Sequence, residues 1–83
     1  MNNQIKTIEL FRTKDLVLAS VLYTYGQKLD GTEIENGGQM TFIFEDKPVC
    51  EDLISKHYSG DLSLPTRQLL DAFKTLKSII FNS

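Results

Sequence analysis

Catalysis needs particular side chains within reach of one another, and this chain holds few candidates. A nucleophile with a neighbouring base could come only from Cys50 and His57, the sole cysteine and the sole histidine. They stand seven residues apart in a stretch that reads as one helix. Two turns are about 10 Å along the axis, so the two side chains do not meet. Cys50 reads instead as a small buried apolar residue, and His57 as a helix-end residue near the last carbonyls. Carboxylates are neighbours at Glu45-Asp46 and Glu51-Asp52. Adjacent helical residues point roughly 100° apart, so Glu51-Asp52 reads as a solvated face and not a metal clamp. Asn36-Gly37-Gly38 lacks the spacing, the lysine and the following helix of a phosphate loop, and reads as a turn. One histidine and one cysteine do not make a usual zinc site within a chain. The pattern predicts no enzyme, no metal and no cofactor.

The elements that would position these residues follow from hydrophobic spacing. Ile5–Arg12 alternates, with Ile8 and Leu10 on one face and Glu9 and Phe11 on the other, which predicts a strand. Thr13 can cap a helix whose first turn holds Asp15. The helix then runs through Leu16, Val17, Leu18, Ala19, Val21, Leu22, Tyr23 and Tyr25 to Gly26, a residue suited to the left-handed position past a helix end. A helix apolar nearly all round is covered on more than one side, by its own domain or by a partner. Lys28–Glu35 and Gln39–Glu45 flank Asn36-Gly37-Gly38, where Asn-Gly supplies the positive φ a tight hairpin needs. Met40, Phe42 and Phe44 are expected to face the core, and Thr41, Ile43 and Glu45 the other side.

Pro48 suits the first position of a second helix. Val49 with Leu53 and Cys50 with Ile54 make i,i+4 apolar pairs, and Gly60 closes that helix. Leu62–Leu64 is a short extended piece. Pro65 opens a third helix, in which Leu69, Phe73, Leu76 and Ile80 form one apolar stripe. Leu70, Ile79 and Phe81 widen it, while Arg67, Lys74 and Lys77 keep the other side wet. Eighty-three residues predict one domain, 1–83, of the α+β class. It reads as a small two-layer sandwich of order β-α-β-β-α-(short β)-α, with an antiparallel hairpin and helices on one face. If Leu62–Leu64 pairs at the sheet edge, the topology is a split β-α-β (ferredoxin-like) fold with an added helix. If it does not pair, a three-stranded sheet remains.

Charge is unevenly spread over a chain whose net value is −2. Residues 30–52 hold Asp30, Glu33, Glu35, Glu45, Asp46, Glu51 and Asp52 against Lys47 alone, while both flanking parts are mildly basic. The acidic hairpin reads either as a solvated edge that deters association or as a surface that meets a basic groove. No apolar run is long enough to cross a bilayer, and no signal peptide is evident, which predicts a cytoplasmic protein. A single cysteine excludes an intrachain disulfide.

At Phe11-Arg12-Thr13-Lys14-Asp15-Leu16-Val17-Leu18-Ala19, with Leu22 and Gly26 behind it, the chain resembles a family of short proteins of unknown function. Phe42-Ile43-Phe44 before an acidic turn, Tyr58 and Gly60 closing a helix, and Lys77 to Asn82 agree with it. The resemblance spans about residues 8–82 and implies a compact α+β domain encoded by bacteria, archaea and their phages and plasmids. It carries no catalytic residues.

These readings together predict a small non-enzymatic accessory protein acting through a protein partner or self-association, for example as an inhibitor of a host complex. Its expected interface residues are Tyr23 and Tyr25 on the first helix and Glu33 and Glu35 on the acidic hairpin. The alternative is a single-stranded nucleic-acid binder using Lys56, Arg67, Lys74 and Lys77. In that case Phe11, Phe42 and Phe44 could serve as a base-stacking platform on an open sheet face.

Overall fold

The computed structural model describes residues 9–82, so the expected strand start at Ile5–Ile8 lies outside the described residues. Six elements follow: β1 (Leu10–Thr13), α1 (Leu16–Thr24), β2 (Leu29–Ile34), β3 (Met40–Glu45), α2 (Lys47–Ser59) and α3 (Thr66–Phe81). The strands form an antiparallel sheet of order β1-β3-β2. Placing β3 between β1 and β2 is the arrangement of a split β-α-β unit. Leu62–Leu64 does not pair, so the sheet keeps three strands among the described residues and the ferredoxin-like alternative lacks its fourth.

Register settles the two faces. Phe11 and Leu29 both stand beside Phe44, and Thr13 and Thr32 both stand beside Phe42. Met40, Phe42 and Phe44 are buried as the alternation required, and pack with Ala19 and Leu22 of α1, Cys50 of α2 and Leu76 of α3. An irregularity between Leu29 and Gly31 resets the pairing of β2. The hairpin closes through the Glu35 N–H, which donates to the Gln39 carbonyl at 2.8 Å. Its positive φ angles fall on Gly37 (90°) and Gly38 (81°); Asn36 contributes none, contrary to the expectation from Asn-Gly.

Capping also departs from the sequence reading. Asp15 itself is the N-cap of α1: its Oδ1 accepts from the Val17 and Leu18 amides at 2.9 and 3.2 Å. Thr13 acts one step earlier, its hydroxyl accepting from the Asp15 N–H at 3.1 Å. Asp46 caps α2 from a left-handed conformation (φ 66°), and Pro48 lies in the first turn one place after the position expected for it, because Lys47 opens the helix. Both α1 and α2 end in the paired backbone bonds of a Schellman motif. Gln27 donates to Leu22 and Gly26 to Tyr23; Asp61 donates to Lys56 and Gly60 to His57.

The apolar first helix is covered by its own domain. Ala19, Ser20, Val21 and Leu22 are four successive residues with no exposure, a pattern that requires neighbours on every side. The sheet lies beneath, and α3 and α2 pack alongside. The Ser20 hydroxyl is satisfied within the helix by the Leu16 carbonyl at 2.7 Å. Most of the apolar surface of α1 is therefore internal, with Val17 and Tyr23 left exposed.

Candidate functional site

The two faces of the fold treat the candidate residues differently. On the sheet face turned away from the helices, Arg12 stands beside Ile43 and Glu33 beside Thr41. The Arg12 guanidinium pairs with the Glu33 carboxylate, which bridges β1 to β2 over the central strand. One step along, Lys14 Nζ lies 2.9 Å from Glu35 Oε2, and Thr41 Oγ1 donates to the same oxygen at 2.7 Å. The hydrogen bonds from Lys14 and then from Thr41 hold the Glu35 carboxyl below its ordinary value of 4.5. These groups line a shallow groove of about 320 Å³ with Thr13 and Ile34. The two hairpin carboxylates expected at an interface thus already carry cations of their own chain. This face presents no aromatic ring among its described residues, since Phe11, Phe42 and Phe44 belong to the core. The stacking platform considered from sequence therefore does not exist.

The remaining chemistry candidates are equally structural. Cys50 is fully buried, and burial pushes its thiol above the ordinary value. Its sulfur donates to the Glu45 carbonyl at 3.4 Å and accepts from Gln27 Nε2 at 3.5 Å. The His57 ring lies 5.6 Å from the Tyr58 ring, and the carbonyls at that helix end are taken by backbone amides instead of the imidazole. Among the described residues no group of three His, Cys, Asp or Glu side chains could hold a metal ion. Asp52 is paired with Lys56 at 3.0 Å, an i,i+4 contact that removes Lys56 from the expected basic set.

Of the tyrosines, Tyr25 is used internally: its hydroxyl donates to the Ser63 carbonyl and fastens the end of α1 to the segment before α3. Tyr23 is partly exposed and lines a groove of about 210 Å³ between α1 and α3, with Thr24, Gln68, Asp71, Ala72 and Thr75.

The other three cations converge. Arg67, Lys74 and Lys77 lie on the outer face of α3, at helical spacings of seven and three. Leu70 and Phe81 share that face at 53% and 75% exposure. The expectation that these two widen the buried stripe is corrected: the buried arc runs through Ala72, Leu76 and Ile79, and places Leu70 and Phe81 opposite. In chain order the outer stripe reads Arg67, Leu70, Lys74, Lys77, Phe81, with spacings of three, four, three and four. Lys77 Nζ sits 5.9 Å from the ring centroids of both Phe73 and Phe81, so a cation holds the exposed ring in place. No ion pair engages Arg67 or Lys74 among the described residues. The sequence displayed every member of this stripe; missing was the rotation of α3 about its axis, which only packing against α1 fixes.

The fold and its surface define a small α+β domain with a buried core and a mixed apolar and cationic outer helix. Residues 8–82 match the family model of a domain of unknown function (DUF5659), and the chain belongs to that family. No curated protein and no solved structure matches the chain.

Proposed function

We propose that this protein is a non-enzymatic accessory module that works by binding another protein. One observation carries the reading: Leu70 and Phe81 stand exposed on a regular helix whose opposite side already completes the core. Leu70 and Phe81, three turns apart with cations between them, contribute little to the core and are free to anchor a partner. The burial of Cys50, which raises its thiol above the ordinary value, favours binding over catalysis by that residue. Among the described residues no helix is long and apolar enough to cross a membrane. A role in a phage or plasmid, acting on a host complex, is the biological setting proposed for it.

A second reading keeps the same helix and changes the partner. Arg67, Lys74 and Lys77 share one face, as a track for single-stranded nucleic acid would require. Capture of the tagged protein from its native cell, with light scattering of the purified chain, separates the readings. A stoichiometric protein partner supports the module. Nuclease-sensitive material whose binding falls steeply with salt supports the second reading, and a clean dimer with nothing attached contradicts both.

A further inference from the structure

We infer that the outer face of α3 docks an acidic amphipathic helix of a partner protein, with Leu70 and Phe81 as apolar anchors and Arg67, Lys74 and Lys77 as its charge complement. The inference rests on the binding-module reading and names the partner's chemistry. Spacings of three and four along α3 form a straight ridge, the shape that a second helix accepts between its own side-chain rows. Leu70 and Phe81 are eleven positions apart, about 16 Å along the axis, so a segment of three turns engages both. Three cations against the single carboxylate Asp71 leave this helix basic on a protein whose net charge is −2. The complement must therefore be acidic.

The competing occupants fit the stripe less well. A second copy docked antiparallel on the same stripe, centred on Lys74, would set Lys74 against its own symmetry mate. The chain's acidic hairpin is a poor substitute, because Glu33 and Glu35 are bound to Arg12 and Lys14. A nucleic acid would leave Leu70 without a role, because stacking on bases takes aromatic faces and not an aliphatic side chain.

The test uses the full chain and a synthetic helical peptide with leucines at three-four spacing flanked by glutamates, followed by amide chemical shifts. Perturbations confined to the outer face of α3 are expected. Binding should weaken about tenfold or more in Leu70→Gln/Phe81→Ser, as anchor removal does at interfaces. Lys74→Glu/Lys77→Glu should lose this peptide and gain its lysine counterpart. No binding, or perturbations elsewhere, overturns the inference. So does preferential binding of oligothymidylate or of vesicles containing phosphatidylserine. A native partner retained by Leu70→Gln/Phe81→Ser would also overturn it while leaving the binding-module reading intact; a chain with no protein partner would defeat both.

Discussion

Lys14 and Glu35 meet across the central strand, Nζ to Oε2 at 2.9 Å, and Thr41 of that strand donates to the same oxygen at 2.7 Å. Their partnership exists because β3 is inserted between the strands that precede them, so residues distant in sequence flank one narrow strip. The folded-state value of Glu35 lies below 4.5. Its contribution is therefore fully present above the unfolded value and is lost as pH falls through the folded one. Carboxyl NMR titration should place Glu35 below 4.5, and Thr41→Val or Lys14→Met should move it upward. A midpoint at or above 4.5 in the parent chain would contradict the bridge.

Burial acts oppositely on Cys50. Its thiol is raised above the ordinary 9.0 because desolvation penalises the thiolate. The folded state then holds the proton longer than the unfolded state, so stability falls as pH rises through 9.0. Native protein should resist thiol reagents and react at once in urea. Fast labelling of native protein would mean that α2 does not seal the core.

Gly60 occupies φ 80° with no heavy atom near the position of an added Cβ. The objection to a side chain there is conformational, not steric. Gly60→Ala should cost about 1 kcal/mol, read as a lower urea midpoint at unchanged slope. A neutral result would show that the Schellman bonds from Gly60 and Asp61 do not form.

Gly31 poses the reverse case. It pairs with Ile43, has no positive φ, and faces open space where a Cβ would be built. Gly31→Val should stabilise the protein by roughly 0.5–1 kcal/mol, through a stiffer unfolded chain and a new cross-strand contact. Destabilisation would indicate that the irregularity beside Leu29 demands glycine.

Local spacing made most of the fold legible. Period-two alternation placed Met40, Phe42 and Phe44 inside, and Gly26 and Gly60 marked helix ends because few other residues accept that backbone. Thr13 and Asp15 were harder to separate, since both carry an acceptor oxygen within one turn and only geometry assigns the cap. The cover over α1 was ambiguous because the same apolar surface suits a partner or a sibling helix. Arg12 with Glu33 was invisible for a different reason. The two are 21 residues apart, and strand order alone decides that they meet. Leu70 and Phe81 were misassigned because apolar residues flanked both sides of the α3 stripe, and a rotation of less than half a turn decides which are buried.

In the docking proposal the outer face of α3 serves binding and not the fold. Its most direct test is to measure urea stability and acidic-peptide affinity side by side for the parent chain and Leu70→Gln/Phe81→Ser. Stability is expected within about 0.5 kcal/mol of the parent, as for exposed substitutions, together with loss of peptide binding. A variant that unfolds early, or one that keeps its affinity, would contradict it.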